Sequence, residues 1–395
     1  MSDRIGVALE SVRRRGARVV VSFIATVSAA LLAVIPVLLI AGASPLAAGR
    51  ALINGSLAGK SPLAETLVSA CPLLLAGLAV ALAFQAGLFN IGVEGQLVIG
   101  GLTAGAIGAK LSLPTGVHLF VALAGGATAG ALWALVPGLL KAFRGVHEVI
   151  TTIMLNYIAF SVSLFLVSPG GWLVAKTQPS ATEKVKPTAE LTRIWGDTRL
   201  HSGIIVAIVM VAFLWYFLYR SPAGYRFRMV GANARAAAFN GIRTPVVTVQ
   251  ALCMSGALAG LAGAVEVLGV HRRYFDSFSP GYGFDSIAVA LLGMLNPIGV
   301  AASALFFGML RAGSGRLQID AGVSRDMITV VSGLVVAFVA GRAALEQVLT
   351  DRRRRAEAAL VQARAEATLT AAAQLHALAA AHSTDAAAAT EPAEP

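Results

Sequence analysis

Long apolar blocks, separated by short polar stretches, run along most of this chain. Blocks of roughly 20 residues, the length an α-helix needs to cross about 30 Å of hydrocarbon, recur from residue 19 onward. The pattern predicts ten membrane-spanning segments, over 19–42, 67–84, 91–111, 119–140, 149–167, 203–219, 247–270, 286–295, 299–310 and 328–344. We therefore expect an all-α polytopic membrane protein.

Two polar stretches interrupt these blocks, "FNIGVEGQ" at 89–96 and "MLNPIG" at 294–299. Pro297 removes a helical hydrogen bond and disfavours helix at Asn296, so the second stretch predicts a break between two short segments. Such a break at membrane depth requires protein or a polar cavity to cover its backbone. Segments two to five and seven to ten run in opposite senses and each set contains one interruption, which indicates inverted repeats, a common plan in transporters.

Glycine pairs four residues apart predict where helices approach closely. They occur in "GLTAG" at 101–105, "GATAG" at 126–130 and "GALAG" at 256–260. Small residues one turn apart let two helix backbones touch in lipid. These stretches therefore indicate packing between helices and carry no information about a substrate.

Composition and charge placement support a membrane location. Of the 395 residues, 57% are hydrophobic and 13% are charged, whereas a soluble domain has about a quarter charged. The net charge of +11 includes arginine clusters at 13–18 and 352–355, before the first block and after the last. Cytoplasmic flanks of membrane spans are rich in Lys and Arg, so both termini are expected in the cytoplasm and nucleic acid is not an expected partner.

The same features give the expected domain organisation. Residues 1–18 form a basic cytoplasmic N-terminus, 19–344 the transmembrane domain, and 345–395 an Ala-rich cytoplasmic tail that is partly disordered. Within the transmembrane domain, 168–202 is expected to be an outer loop of mixed charge. The segment 220–246 is expected to be a cytoplasmic loop, since it contains five arginines and no acidic residue. The first block is too long for a signal-peptide core, so we expect it to be retained.

No pattern in the sequence predicts an enzyme. The "GSLAGKS" stretch at 55–61 has three residues between its glycines, where a phosphate-binding loop needs four. Cys71 and Cys253 lie alone in apolar blocks, and no metal-ligand spacing or nucleophile motif occurs. We therefore expect no catalytic residue, no metal and no cofactor in this chain, and any ATP to be bound by another chain.

Polar residues inside the apolar blocks are the candidate functional residues, because they are costly at membrane depth. Glu148, Thr152 and Asn156 recur every four residues and form one stripe on a helix. Asp285 supplies an acid in the second half. Such residues either bond helices to one another or line a pathway, and the sequence leaves both roles open.

The interrupted stretch 89–96 contributes further polar candidates. Asn90 is a plausible N-cap of the third segment, and Glu94 follows one turn later. Gln96 would point away from Glu94 and brace another helix. The predicted pathway residues are Asn90, Glu94, Thr152, Asn156 and Asp285.

Several stretches resemble the permease subunits of ABC importers in the branched-chain amino acid, ribose and nucleoside group. They are "FNIGVEGQL" (89–97), "HEVITTIMLNYIA" (147–159), "GANARAAAFNGI" (231–242), "SGALAGLAGAVEVLGV" (255–270) and "PGYGFDSIAVALLGMLNPIG" (280–299). The similarity is greatest to the branch that works with lipoproteins binding purine nucleosides. The Ala-rich tail departs from the family pattern, and its role is not explained by the resemblance.

The resemblance implies partners and a coupling segment. A second permease subunit (a copy or a paralogue), an ABC ATPase that binds ATP and Mg²⁺, and an extracytoplasmic substrate-binding lipoprotein would complete the transporter, in the bacterial cytoplasmic membrane. In this family the segment matching 231–242 contacts the ATPase. The residues that carry this expectation here are Gly231, Asn233, Arg235, Ala237 and Gly241, although positive-inside bias explains the arginine equally well.

The predicted function is therefore ATP-driven nucleoside import. One alternative is an ABC permease for a sugar or another small polar solute. A second is a stand-alone proton-coupled secondary transporter, with Glu94 or Glu148 as the proton relay. The match at 231–242 favours the importer, because a stand-alone carrier has no ATPase to contact.

Overall fold

The computed structural model describes residues 42–322, together with 27–29, 32–36, 38–40 and ten positions between 330 and 366. The expectations for 1–18, for about half of 19–42, for most of 328–344 and for most of the tail therefore lie outside the described residues. The chain divides into two units, Met1–Val339 and Ala340–Pro395. The few described residues of the second unit are helical.

The described part of the first unit is helical and contains no β-strand, as expected for an all-α protein. A 3₁₀ turn at Pro187–Ala189 and a π-helical turn at Val267–His271 complete the regular structure. The α-helices are α1 (Pro45–Ser56), α2 (Lys60–Gln85), α3 (Val93–Lys110), α4 (Val117–Arg144), α5 (Glu148–Val167), α6 (Gly203–Arg220), α7 (Pro222–Ala232), α8 (Ala234–Phe239), α9 (Thr244–Glu266), α10 (Tyr282–Leu292) and α11 (Pro297–Ala321).

The expected count of ten spans is not confirmed. Among the described residues, six helices are long and apolar enough to cross a membrane, namely α2, α4, α5, α6, α9 with its π turn, and α11. The bent pair Val27–Ile40 and Pro45–Ser56 makes seven if it counts as one span. The segment predicted at 299–310 is wrong in length, because α11 continues to Ala321 and is itself a full span. Helix α10, with 11 residues, is too short to be one.

Helices α2, α3 and α9 form the centre of the bundle. In the most apolar 18-residue stretch of each helix, 83% of the residues of α2 and 78% of those of α9 are buried. The corresponding share is 22% in each of α4, α5 and α6. Helix α3 is also buried along most of its length. The peripheral helices therefore expose apolar faces that hydrocarbon can cover, while the central helices contact protein on nearly every side.

Glycines bring the backbone of α9 against its neighbours. A Cβ added to Gly130 of α4 would lie 2.2 Å from the Gly256 carbonyl oxygen, and one on Gly260 would lie 2.3 Å from the Gly126 carbonyl oxygen. On another side of α9, a Cβ on Gly263 would lie 1.9 Å from the Leu97 carbonyl oxygen of α3. The "GATAG" and "GALAG" stretches thus pack on each other, as small residues allow in a membrane.

This contact predicts the effect of Gly260→Ala. The added methyl group would push α9 away from α4, and overpacking of this kind costs about 1–3 kcal/mol. We expect a lower thermal unfolding midpoint in detergent. The matched control is Gly315→Ala in α11, where no atom lies within 4 Å of the added Cβ. A Gly260→Ala protein as stable as the control would contradict the proposed close contact.

The segment 168–202 covers one end of the central helices. It bonds to the chain that follows α9, through Thr182 N to the Tyr274 carbonyl (2.8 Å) and Val185 N to the Arg272 carbonyl (2.8 Å). Lys186 N donates to the carbonyl of Gly108, near the end of α3 (2.9 Å). These bonds give the non-helical backbone of the segment hydrogen-bond partners within the protein, so that it does not need water. The segment is therefore an integral part of the bundle.

His201, at the end of this segment, is 1% exposed and packs on the π turn. Its Nδ1 accepts from Gly203 N (3.2 Å). Its Nε2 has no hydrogen-bond partner among the described residues, and neither has Oε2 of the buried Glu266. Burial lowers the pKa of His201, although the Glu266 carboxylate acts to raise it. Burial of the ring thus favours the neutral imidazole.

A lowered pKa in the folded state predicts a loss of stability in acid. Unfolding lets His201 bind a proton once the pH falls below about 6.5, so its contribution is complete above that pH and decreases below it. His201→Asn keeps an acceptor for Gly203 N and cannot be protonated. We expect its unfolding midpoint to fall less than that of the wild type between about pH 7.5 and about pH 5.5. Equal falls in the two proteins would contradict this role of His201.

Candidate functional site

The chain between α2 and α3, residues 86–92, crosses the bundle interior without helical hydrogen bonds. Asn90 organises it: its Oδ1 accepts from Gly92 N (3.0 Å), and its Nδ2 donates to Ser255 Oγ of α9 (2.9 Å). The Asn90 and Gln96 amides also bond reciprocally, at 2.9 and 3.1 Å. Two expectations are thus wrong. Gly92 occupies the N-cap position of α3, and Gln96 pairs with Asn90 instead of bracing another helix.

The polar stripe of α5 faces this break. Asn156 Oδ1 accepts from Gly95 N and its Nδ2 donates to the Ile91 carbonyl, both at 2.9 Å. Thr152 is fully buried and donates to the carbonyl of Glu148 (2.8 Å). The Glu148 carboxylate pairs with Lys141 Nζ (2.8 Å). Asn156 of the stripe therefore supplies hydrogen bonds to the backbone at Ile91 and Gly95, where the helical pattern is interrupted.

A second non-helical segment, 272–281, leads from the π turn to α10 and meets the start of α3. The Glu94 carboxylate accepts a hydrogen bond from Gly283 N, in the first turn of α10. A Cβ on Gly283 would lie 2.4 Å from Glu94 N, so only glycine fits here. The carboxylate thus satisfies a free N–H in the first turn of a helix whose preceding N–H, that of Tyr282, donates to Ser279 Oγ (3.2 Å).

A third break, at 293–296, joins α10 to α11, where the sequence predicts it. Met294 and Leu295 adopt left-handed backbone conformations, with φ of 53° and 56°. Gln85 Nε2 donates to the Leu295 carbonyl (3.1 Å), and Asn296 Oδ1 accepts from Ile298 N (3.0 Å). Side chains from α2 and from the turn itself therefore stabilise the break.

Asp285 lies on α10, close to Glu94 but with a different partner. It forms an ion pair with Arg311 of α11, whose guanidinium carbon lies 4.6 Å from the centre of the Tyr282 ring. The Tyr282 hydroxyl lies 3.5 Å from Glu266 Oε1. Arg311 was not predicted from the sequence, although a basic residue in an apolar helix is a usable signal.

A cavity of about 230 Å³ lies where α3, α5, α10 and the 272–281 segment meet. We call it the junction cavity. Glu94 lines it, whereas the other predicted pathway residues are not among its lining residues. The lining residues are Glu94, Val98, Phe160, Ser163, Tyr274, Asp276, Ser277, Ser279, Gly281 and Phe284. Within the described residues, no group of three or more His, Cys, Asp or Glu side chains is placed to bind a metal ion.

The predicted coupling residues lie at the opposite end of the bundle from 168–202, in α7 and α8. Gly231 packs on the end of α2, since an added Cβ would lie 2.2 Å from the Gln85 carbonyl oxygen. Asn233 caps α8 by accepting from Ala236 N (3.0 Å). Ala237 is fully buried. Gly241 follows α8 with a φ of 78°, a conformation that favours glycine.

Other residues of this end face outward. Arg235 is exposed, and Phe239 is 93% exposed at the end of α8. Phe239 was not predicted from the sequence as a surface residue, because its exposure depends on how α8 packs on the rest of the bundle. A cavity of about 520 Å³ beside α8 has two arginines in its wall, and is lined by Arg226, Asn240, Gly241, Ile242, Arg243, Val246, Val247 and Gln250. An exposed aromatic ring beside a basic cavity is typical of a protein-binding surface.

Comparison with known proteins matches the resemblance seen in the sequence. The guanosine ABC transporter permease protein NupP of Bacillus subtilis is 38% identical over 79% of this chain and 90% of its own length. The glucose ABC transporter permease protein TsgB13 of Haloferax volcanii is 34% identical over 70% of this chain and 75% of its own length. The nucleoside ABC transporter permease protein NupB of Lactococcus lactis is 31% identical over 84% of this chain and 93% of its own length. No solved structure matches the chain.

The family assignment rests on a continuous match. Residues 63–340, which include all three breaks, the junction cavity and the α7–α8 region, match the family described as "Branched-chain amino acid transport system / permease component". The five stretches that carry the resemblance fall within that range. This chain therefore belongs to the branched-chain amino acid transport system permease family and is a multi-pass membrane subunit of an ABC transporter, not an enzyme.

Proposed function

We propose that this chain is the permease subunit of an ABC importer that moves nucleosides across the bacterial cytoplasmic membrane. The observation that carries the proposal is the similarity to permeases named for guanosine and for nucleosides, over at least 90% of their length. The energy would come from ATP and Mg²⁺ bound by a separate ATPase.

A sugar is the second candidate cargo, because a permease named for glucose is 34% identical to this chain. Nucleosides and sugars are both neutral solutes that carry several hydroxyl groups. The stand-alone proton-coupled carrier is disfavoured, since these relatives are all named as parts of ABC transporters.

The orientation follows from the charges of the two ends. The α7–α8 end carries five arginines and no acidic residue over 220–243, which supports a cytoplasmic position for this end. The 168–202 segment would then face outward, towards the substrate-binding lipoprotein, and both termini would be cytoplasmic. A second permease, a copy or a paralogue, would complete the pathway.

Coupling to the ATPase would pass through α7 and α8. Gly231 touches the end of α2 at Gln85, and Gly87 lies against Gly231 in turn. The 86–92 segment begins there and leads to Glu94 and the junction cavity. A movement of α7 and α8 would therefore be transmitted to the start of α3 through packed backbone.

The five predicted pathway residues would have different roles. Glu94 would line the pathway, because it borders the junction cavity. Asn90, Thr152 and Asn156 would shape the pathway without binding cargo, since their polar groups bond inside the protein. Asp285 would hold α10 on α11 through Arg311.

An inverted-repeat arrangement also remains a proposal. Each of the segments 86–92 and 272–281 is non-helical and leads into a helix, α3 and α10 respectively. The first turns of these helices touch through Glu94 and Gly283. Two interrupted segments that meet in the bundle interior are typical of transporters with inverted repeats. The arginine clusters at 13–18 and 352–355 favour an even number of segments, so the ten segments expected from the sequence also remain a proposal.

The proposed function predicts that uptake requires the partner ATPase. In proteoliposomes containing both permeases, the ATPase and the binding protein, we expect guanosine uptake with ATP inside. Replacing the catalytic glutamate of the ATPase should abolish uptake, because no other energy source is coupled to the permease. Uptake that survives this replacement but stops when the proton gradient is collapsed would instead establish the stand-alone carrier. Glucose uptake without guanosine uptake would establish the second candidate.

The docking role of α8 predicts the effect of Phe239→Asp. The 93% exposed ring would lie in the contact with the ATPase, and a charge there should reduce co-purification of the ATPase about tenfold or more, as for a central interface residue. Thermal stability of the permease should not change. Trp172→Asp is the matched control, since Trp172 is 85% exposed in the 168–202 segment. Normal co-purification of the Phe239→Asp protein would exclude this contact.

A further inference from the structure

The junction cavity has one polar wall, formed by the 272–281 segment and Glu94. Ser277 Oγ donates to Asp276 Oδ2 (3.2 Å), and Ser279 Oγ accepts from Tyr282 N (3.2 Å). Gly283 N donates to one oxygen of the Glu94 carboxylate. A carboxylate can accept about four hydrogen bonds, so acceptor sites remain. Two carboxylates and two hydroxyls thus border one small space with acceptor capacity left over.

The backbone of this wall is strained at Ser277, which has a φ of 59°. Its side chain is exposed and lines the cavity, while Asp276 is half-buried beside it. Non-glycine residues in the left-handed region are strained and are concentrated at binding sites. The fold therefore keeps a hydroxyl and a carboxylate at the cavity edge despite this strain.

Two phenylalanines also line the cavity. They are Phe160 of α5 and Phe284 of α10, and Phe284 is 47% exposed. Nucleobases of any identity stack on aromatic side chains. The lining thus offers polar groups to hydroxyls and aromatic rings to a base.

The volume limits what the cavity can hold. Pockets that enclose a complete drug-sized ligand measure about 300–1,000 Å³, and this one measures about 230 Å³. It is too small to enclose both rings of a nucleoside together with water. One ring enters the cavity and the other stays at its edge, and the acidic wall selects the ring with hydroxyl groups.

Building on the proposed nucleoside cargo, we propose that the junction cavity is a subsite for the ribose hydroxyls of a nucleoside during transport. Asp276 and Glu94 accept hydrogen bonds from the vicinal hydroxyls, as acidic residues do for ribose at nucleotide sites, and the Ser277 hydroxyl accepts a further one. The base lies at the edge, against Phe284. The subsite adds a specificity element to the permease that is separate from the binding protein.

The experiment compares guanosine with 2′-deoxyguanosine in the complete reconstituted transporter. In Asp276→Ala, we expect the ratio of guanosine to 2′-deoxyguanosine uptake to fall about tenfold, the effect of one hydrogen bond to a charged group. The binding protein is the same for every variant, so its own preference cancels in the comparison. Ser277→Gly should lower the ratio in the same direction, and it removes the hydroxyl without opposing the left-handed φ.

Asp197→Ala is the matched control, because Asp197 is an exposed aspartate in the 168–202 segment and does not line the cavity. It should leave the ratio unchanged. A fall of both uptakes by the same factor in Asp276→Ala and in Ser277→Gly would overturn the subsite, since it would assign these residues a structural role. An unchanged ratio in both variants would overturn it as well. A wild-type transporter that moves glucose but neither nucleoside would overturn the proposed function together with the subsite.

Discussion

Every backbone N–H and C=O at membrane depth needs a hydrogen-bond partner inside the protein, and this bundle meets that requirement at three interruptions of its helices. Asn90 and Asn156 bond the chain between α2 and α3, Glu94 bonds the first turn of α10, and Gln85 bonds the turn before α11. Because these side chains replace the missing helical bonds, the chain can change direction in an apolar interior. One of the interruptions, the 272–281 segment, supplies five of the residues that line the junction cavity.

Close glycine packing makes these interruptions possible. Helix α9 contacts α4 and α3 backbone to backbone, through Gly260 and Gly263 among others. Ser255 of the same helix bonds Asn90 (2.9 Å) and the Ala79 carbonyl of α2 (2.7 Å). A single helix therefore links the broken backbone to a neighbouring helix.

The sequence was sufficient for features that depend on local spacing. The apolar blocks, the glycine pairs, the stripe on α5 and the break at Asn296 all follow from residues a few positions apart. The partners of Asn90 and Glu94 did not follow, because Ser255 and Gly283 lie 165 and 189 positions away. The length of α11 was also mispredicted. Its polar residues after Leu310 resemble a segment end, yet they lie on a helix that continues to Ala321.

A membrane pathway for a neutral, hydroxyl-rich cargo must bind it weakly enough to release it. Most polar side chains near the junction cavity are already bonded within the protein, and those of Asn90, Thr152 and Asn156 are buried at 2% exposure or less. Few groups remain to hold a passing nucleoside, and they lie on the strained 272–281 segment and on Glu94. Since Glu94 also caps α10, a cargo hydroxyl that competes for this carboxylate would loosen the contact between α3 and α10. If the cargo is a nucleoside, as proposed, the Glu94 carboxylate thus couples occupation of the cavity to the relative positions of α3 and α10.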